Sequence, residues 1–333
     1  MVADLVSIIT PCYGTAKYLP KLLHSILTQK YPRIEVFVID DGSPDDIKSV
    51  TAQFEKSYRD KGYDLEYVWQ TNGGQSVAIQ NGLNRIRGEF LVWPDSDDFY
   101  ASDETISKMV ARFKLSGSDV GMVRTQEVVV RDDGFYTPFS LLGKKAKNEE
   151  SRSLFDDCLL GKNGFYFCPG AYMVRTDALR SSTQLPIYTE KDAGQNWQLM
   201  LPVLYNYKCS TILEPLYNVV ERLTSHSRAK KTYEKSRQRI ETYRRTIIGT
   251  LERINNMSAE DLGRYKKMVE SRYLQIHLND ALNHENQQDS NSLIKKMKAL
   301  NLRIDSRTVL KYYLMRTGLL RLIRKFRQSI HHI

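Results

Sequence analysis

The chain has 333 residues, of which 41% are hydrophobic, and a formal net charge of +10 at pH 7. This length and composition exclude a disordered or fibrous chain and suffice for one domain with a substantial core plus an appendage. No apolar run reaches the length of a membrane span, and we expect no signal peptide because an apolar strand begins without a basic leader. The four cysteines lack zinc or disulfide spacing, which favours reduced thiols in a cytoplasm.

The first hundred residues alternate apolar strands with amphipathic helices. The predicted strands are 5–10, 34–39, 65–69 and 90–94. Helices are predicted between them, the second over roughly 45–60 and the third over about 76–86. This alternation predicts an α/β fold with a parallel sheet and right-handed crossovers. The loops after the strands therefore lie at one edge of the sheet, where open α/β folds bind ligands.

The fourth strand ends in a cluster of acids, Asp95-Ser96-Asp97-Asp98. Alternating carboxylates bind divalent cations through oxygen, and such a cation commonly serves a phosphate-bearing substrate. An isolated pattern of this kind is also typical of acids that cap a helix or face water. The neighbouring motifs decide between these interpretations.

Four motifs stand in a fixed order in this region. They are Val-Ser-Ile-Ile-Thr-Pro-Cys-Tyr at 6–13, Val-Ile-Asp-Asp-Gly-Ser at 38–43, Asn-Gly-Gly-Gln-Ser-Val-Ala at 72–78 with Asn-Gly-Leu at 81–83, and the acids at 95–98. In this order and spacing the chain resembles glycosyltransferase family 2, strongly over about 4–100 and more loosely to about 228. The resemblance implies a GT-A fold, a nucleotide-diphospho-sugar donor, a divalent metal and inversion of the anomeric centre.

The resemblance places nucleotide-sugar binding in the loops at the strand ends. The candidate residues are Pro11, Tyr13, Asp40, Asp41, Asn72, Gly74, Gln75, Asp95, Ser96 and Arg222. Asp40 or Asp41 can accept hydrogen bonds from a uracil N–H or a ribose hydroxyl, and one of them is alternatively a cap for the helix after Pro44. Tyr13 can stack on a base or pack in the core. Gly74 permits close backbone approach or an unusual φ, with an ordinary turn as the alternative.

The metal ligands implied by the resemblance are Asp95 and Asp97, with His226 as a third ligand or a phosphate donor. Carboxylate oxygens suit Mn²⁺ or Mg²⁺. We expect Asp98 to cap the following segment. Arg222 can pair with phosphate oxygens, whereas a lone loop histidine such as His226 is alternatively just solvated.

The acceptor half is expected in the middle of the chain. Many family members carry Gly-Glu-Asp and an aromatic residue where this chain has Gly-Gln-Asn-Trp at 194–197, and that aspartate is the family's base. An amide cannot take a proton at neutral pH, so Glu190 or Asp192 is the nearest candidate base, Glu190 slightly preferred. The candidate acceptor-binding residues are Tyr172, Gln195, Asn196 and Trp197. A packed β segment is the alternative interpretation of 165–175.

We expect a GT-A catalytic domain at 1–228, divided into a nucleotide-sugar-binding part (1–100) and an acceptor part (101–228), and a basic helical region at 229–333. Helices are predicted within 228–254, 258–284 and 289–301. The segment 311–327 alternates bulky apolar and basic residues, which suits a helix on an anionic membrane surface. A helix packed on the catalytic domain and a homodimer contact are the alternatives. No recognised motif points to nucleic acid.

Together these features predict a metal-dependent inverting glycosyltransferase, cytoplasmic and peripheral on the inner face of the cell membrane. The expected donor is a UDP-sugar, and the expected acceptor is a glycan, lipid-linked, in bacterial surface-polysaccharide synthesis (capsule, exopolysaccharide or O-antigen). A nucleotidyltransferase is disfavoured because no Gly-rich basic loop follows the first strand. A catalytically silent sugar-nucleotide-binding or scaffold subunit stays open because of Gln195 and Asn196.

Overall fold

The computed structural model describes residues 1–131, 153–221 and 232–320, and the backbone of 136–140. It contains two compact units, a sheet-containing unit and a helical unit. The sheet-containing unit is Met1–Ala229 with Thr246–Ser258, and the helical unit is Lys230–Arg245 with Ala259–Ile333. The expected boundary at residue 228 lies beside the end of the first segment, whereas residues 246–258 add a second segment to the sheet-containing unit. The functional division of the chain stays a prediction.

A mixed sheet of nine strands forms the centre of the sheet-containing unit, in the order β3-β2-β1-β4-β8-β6-β9-β5, with β7 paired to β6. The strands are β1 (Val2–Cys12), β2 (Ile34–Asp40), β3 (Asp64–Trp69), β4 (Gly88–Val92), β5 (Phe99–Tyr100), β6 (Val120–Arg131), β7 (Tyr136–Ser140), β8 (Tyr172–Arg175) and β9 (Lys208–Glu221). β1 to β4 are parallel, as predicted. β8 runs antiparallel to β4 and β6, and β9 returns parallel to β6.

Helices flank this sheet, so the expected α/β architecture is confirmed. They are α1 (Leu19–Leu27), α2 (Ile47–Asp60), α3 (Gln75–Leu83), α4 (Thr105–Leu115), α5 (Phe155–Leu160), α6 (Thr176–Ser182) and α7 (Trp197–Asn206). In α1 the apolar residues at intervals of three and four are fully buried, which explains its amphipathic pattern. α2 begins where the Asp46 carboxylate accepts a hydrogen bond from the Ser49 amide, so the cap is neither Asp40 nor Asp41.

The central strand β1 fixes the position of the site. Val6, Ile8 and Ile9 are fully buried, because helices cover both faces of the parallel part of the sheet. The chain moves from β1 to β2 and β3 on one side, and then returns to place β4 on the other side of β1. Such a reversal opens a crevice beyond the carboxyl ends of the strands, which is where ligands bind in open α/β sheets.

The helical unit contains α8 (Tyr233–Leu251) up to Arg245, α9 (Ala259–Asn283), α10 (Gln287–Ala299) and α11 (Ser306–Arg316). These bounds agree closely with the predicted segments. Its core is formed by Leu274, Leu278, Leu282 and Met297, against which Tyr312 and Met315 of α11 pack. The unit therefore has an apolar core of its own.

The basic end of the chain differs from the prediction in one respect. The expected helix over 311–327 is not continuous, because α11 ends at Arg316 and Gly318 follows with φ +74°. A left-handed glycine is a common helix terminator. Residues 321–333 lie outside the described residues. In the part of the chain that the structure describes, no helix is both long and apolar enough to cross a membrane.

Candidate active site

Loops that follow β1, β2, β3 and β4 meet at one edge of the sheet, as the motifs predict. Cys12 at the end of β1 pairs with Asp40 at the end of β2, and Asp40 pairs in turn with Trp69 at the end of β3. Tyr13 follows β1 and is 53% exposed, which favours a surface position over a core one. Pro11 is buried in β1.

Asp41 is the centre of the hydrogen-bond network at this edge. Its Oδ1 accepts from Gln70 Nε2 and from the Gly73 amide, both at 2.8 Å. Its Oδ2 accepts from the Gly74 amide at 2.8 Å and from Asn72 Nδ2 at 3.1 Å. The side chain is buried, so these bonds form away from water and hold the 72–74 loop in one conformation.

Asp40 has a different environment from Asp41. Its Oδ1 accepts from the Ser43 amide at 2.8 Å, and its Oδ2 accepts from the Tyr67 hydroxyl at 2.6 Å. Desolvation and the hydrogen bond to Asp40 raise the pKa of Tyr67, so this phenol stays protonated and donating. Asp40 therefore shapes the turn after β2.

Gly74 lies directly beneath the loop that carries the candidate bases. It has φ +91°, and a Cβ built on it would stand 1.9 Å from the Lys191 carbonyl oxygen. Ser76 Oγ donates to the Glu190 carbonyl and accepts from the Glu190 amide, each at 3.0 Å. The glycine is thus required by a left-handed φ and by contact with the 190–191 backbone.

The acidic segment 95–98, which follows β4, makes hydrogen bonds to three distant segments of the chain. Ser96 Oγ donates to Thr15 Oγ1 at 2.9 Å, and the Asp98 carboxylate accepts from the Val220 amide at 2.8 Å. Asp98 thus binds β9, and the following helix α4 begins at Thr105 without a side-chain cap from Glu104. Gln195 Nε2 donates to Asp95 Oδ1 at 2.6 Å. Asp95 and Asp97 are partly exposed, whereas Ser96 between them is buried.

The two candidate bases differ in their surroundings. The Glu190 carboxylate is partly exposed and accepts from the Tyr188 hydroxyl at 3.0 Å, whereas Asp192 is exposed. Both lie on the loop that packs against Gly74. The structure thus brings both residues close to the 72–76 segment but does not choose between them.

The candidate acceptor residues are only partly open to solvent. Tyr172 is 2% exposed, and its hydroxyl donates to the Tyr166 carbonyl at 2.7 Å, which favours the packed-segment interpretation of 165–175. Trp197 begins α7 and packs edge-on against Phe167. Asn196 accepts from Trp93 Nε1 at 3.4 Å. Among the predicted acceptor residues, Asn196 and Trp197 are partly exposed.

Two of the three candidate metal ligands lie in the part of the chain that the structure describes. Within the described ranges, no group of three or more His, Cys, Asp or Glu side chains stands close enough to hold an ion. Arg222 and His226 lie outside the described residues. Gln75 is exposed at the first position of α3, and Asn72 is partly buried.

One buried acid was not identified from the sequence. Glu127 on β6 is 1% exposed, and within the described structure no donor reaches its Oε1. Burial raises its pKa to about 7, opposed by the charge of Arg124. Burial raises the pKa of the Cys168 thiol as well, and the charges of Asp98, Glu127 and Asp95 raise it further. No periodicity around 127 signals this residue.

Comparison with known proteins identifies the same family that the ordered motifs indicate. The family model described as Glycosyl transferase family 2 matches residues 7–182, just over half of the chain. Glycosyltransferase GlyA of Streptococcus pneumoniae is 34% identical over 116 residues, which are 34% of this chain and 16% of GlyA. The chain thus spans well under two thirds of that relative's length.

Two solved structures show the same fold. Staphylococcus aureus TarS 1–349, in complex with UDP-GlcNAc, has a TM-score of 0.60 at 20% identity and covers 96% of this chain and 92% of its own. Mannosyltransferase PcManGT from Pyrobaculum calidifontis, in complex with GDP-Man and Mn²⁺, has a TM-score of 0.54 at 16% identity and covers 97% and 82%. At these identities the likeness shows the GT-A fold alone. With the family match and the ordered motifs, the chain belongs to glycosyl transferase family 2.

Proposed function

We propose that this protein is a metal-dependent inverting glycosyltransferase that moves a sugar from a nucleotide-diphospho sugar to a glycan acceptor. The observation that carries the proposal is the convergence of the Asp41-held loop 72–74 and the acids at 95–97 on one sheet edge. The donor is a UDP-sugar by default, and TarS has been crystallised with UDP-GlcNAc. Tyr13 is exposed enough to stack on the base of the donor.

The residues at the end of β4 fit a divalent cation. Mg²⁺ and Mn²⁺ are commonly bound by one or two carboxylates together with substrate phosphates, so Asp95 and Asp97 suffice on the protein side. His226 is the further ligand proposed from the sequence. When bound, such a cation neutralises charge on the leaving diphosphate. Mn²⁺ is present in the PcManGT complex.

The remaining steps belong to the protein's own side chains. Glu190 or Asp192 takes the proton from the acceptor hydroxyl as its oxygen attacks the anomeric carbon and the bond to the diphosphate breaks. Attack from the face opposite the leaving group inverts the centre. Glu190→Gln or Asp192→Asn, whichever residue is the base, should lower turnover roughly 10²-fold or more with donor affinity little changed. If both variants turn over normally, the base lies elsewhere or none is needed.

The acceptor is proposed to be a lipid-linked glycan of bacterial surface-polysaccharide synthesis, with the protein peripheral on the inner face of the membrane. The helical unit has 22 lysines and arginines against nine aspartates and glutamates, a charge of +13, whereas the sheet-containing unit carries −3. On α11, Leu310 and Tyr313 are 59% and 58% exposed. Apolar side chains among basic ones favour an anionic membrane surface.

A catalytically silent donor-binding subunit is the second candidate. Gln195 and Asn196 favour it, because neither amide can act as a base and both make hydrogen bonds to the end of β4. Thermal stabilisation of the purified chain by a panel of nucleotide sugars with Mn²⁺ tests the binding that both candidates share. We expect a UDP-sugar to raise the melting temperature. Failure of every UDP- and GDP-sugar would refute both candidates, and stabilisation without any turnover would favour the silent subunit.

A further inference from the structure

Gln195 contacts Asp95 across a separation of 100 residues. Its Nε2 lies 2.6 Å from Asp95 Oδ1, and the glutamine is 1% exposed. A hydrogen bond from an amide to a carboxylate is short and strong because the acceptor is charged, and burial of the donor restricts competition by water to the exposed side of Asp95. The contact therefore restricts the orientation of the Asp95 side chain.

The next residue docks on the same strand end. Asn196 Oδ1 accepts from Trp93 Nε1, and Trp93 is fully buried at the carboxyl end of β4. Consecutive amides thus bind positions 93 and 95, immediately before α7 begins at Trp197. The turn at 194–196 is consequently anchored to the segment that carries the acids.

The choice of glutamine has a chemical reason. An ionised Asp95 needs a donor, and only the NH₂ end of a glutamine side chain can donate. A glutamate at 195 would place a second carboxylate against the first, and like charges at this distance repel. Within the described structure, Gln195 Oε1 is buried without a hydrogen-bond partner. That unpaired oxygen is a cost to stability, which the bond from Nε2 to Asp95 offsets.

We propose that Gln195 is a positioning residue that fixes Asp95 in the orientation needed for the donor's diphosphate and its cation. This proposal rests on the proposed function. It gives a role to Gln195, which stands where many family members have the Glu of Gly-Glu-Asp, because its amide contacts the acid at position 95. Gln195 acts through Asp95 and is not itself placed on the reacting atoms.

The test is a double-mutant cycle on UDP binding in the presence of Mn²⁺. Gln195→Met keeps the length of the side chain and removes the donor, and it should weaken UDP binding roughly 10-fold or more, as expected for a hydrogen bond to a charged group. In an Asp95→Ala background, which has no side-chain acceptor at position 95, the same change should have little further effect. Equal losses in both backgrounds, or no loss in the single variant, would overturn the proposal.

Gln198→Met is the matched control. Gln198 is also 1% exposed, but its Nε2 donates to the Gly194 carbonyl at 2.7 Å and not to a carboxylate. The control should lower the melting temperature and leave UDP affinity within about twofold. A loss as large as that of Gln195→Met would mean that the integrity of the turn, and not the bond to Asp95, supports binding.

A crystal structure of the Gln195→Met protein decides the matter without any nucleotide. Asp95 should adopt another rotamer or several, because the hydrogen bond from Gln195 is removed. An unchanged Asp95 would overturn the proposal even if UDP affinity fell. If the unaltered protein binds no nucleotide, the proposed function fails, whereas the crystallographic result still tells whether Gln195 orients Asp95.

Discussion

Replacing Asp41 by asparagine should destabilise the protein far more than the same replacement at Asp40. Gly73 donates to one carboxylate oxygen of Asp41 and Gly74 to the other. Whichever way an asparagine turns, its NH₂ group therefore faces a backbone N–H and a side-chain donor. Two hydrogen bonds to a charged acceptor are lost, each worth about 1.5–3 kcal/mol, so the expected loss of unfolding free energy is about 3–6 kcal/mol.

Asp40→Asn is the matched control, since it changes the adjacent acid in the same way. The substituted amide can keep its oxygen toward the Ser43 amide and turn its NH₂ toward the Tyr67 hydroxyl, which can accept. Its expected cost is about 1 kcal/mol or less. Both acids are 4% exposed, so solvent screening does not separate them.

Thermal unfolding followed by circular dichroism measures the difference. At about 2–4 °C per kcal/mol, Asp41→Asn should lower the melting temperature by roughly 6 °C or more, and Asp40→Asn by no more than about 4 °C. Urea titration gives the same comparison as free energies. If Asp41→Asn has the same melting temperature as the unaltered protein, or if the two variants have the same melting temperature, Asp41 does not hold the 72–74 loop.

Three further predictions concern a glycine, a buried acid and a surface. Gly74→Ala should lower the unfolding free energy by several kcal/mol and weaken UDP binding, because the Lys191 carbonyl must move to make room for the added Cβ. Gly62→Ala is the control: it has φ +79° but nothing within 4 Å of the added Cβ, so it should cost only about 1–2 kcal/mol in urea titrations. Equal costs for the two variants would contradict the contact between Gly74 and Lys191. Burial raises the pKa of Glu127 from 4.5 to about 7, so the unaltered protein loses unfolding free energy as pH rises through that range and the acid ionises. Glu127→Gln does not ionise, and its unfolding free energy relative to the unaltered protein should therefore increase by about 3 kcal/mol across the same range. Unfolding free energies of the two proteins that change in parallel with pH would refute the burial argument. The protein should sediment with anionic liposomes, and the sedimented fraction should fall as salt rises and in the double variant Leu310→Ser, Tyr313→Ser. Leu115→Ser is the control, because it replaces an 87% exposed leucine of the sheet-containing unit, and it should leave the sedimented fraction unchanged. No sedimentation at low salt would refute the membrane proposal.

Much of the fold could be predicted because it depends on local patterns. β1, β2 and β4 contain apolar runs, β3 is a short segment in which apolar and acidic residues alternate, and the helices between them repeat apolar residues at helical spacing. The turn residues at 40–43 and 72–74 then fix which edge of the sheet carries the loops. Even the interruption after α11 had a visible signal, since Gly318 stands within the run that was predicted to be a continuous helix.

The arrangement of the site could not be predicted to the same extent, because it depends on contacts between distant segments. Adjacent acids at 40 and 41 look equivalent in sequence, and only the folded loop directs four donors to Asp41. The pairing of Gln195 with Asp95 spans 100 residues and has no local signature. Glu127 lies on a strand whose apolar pattern does not mark it, and its raised pKa follows from burial.

The central claim is that the acids at the end of β4 support cation-dependent transfer from a nucleotide sugar. The most direct measurement is UDP release from a panel of UDP-sugars with Mn²⁺, for the unaltered protein and for Asp97→Asn, with circular dichroism to confirm that both are folded. We expect at least one donor to be cleaved, and we expect the release to disappear in excess EDTA and in the folded Asp97→Asn protein. Full activity in excess EDTA, or undiminished activity of Asp97→Asn, would contradict the claim.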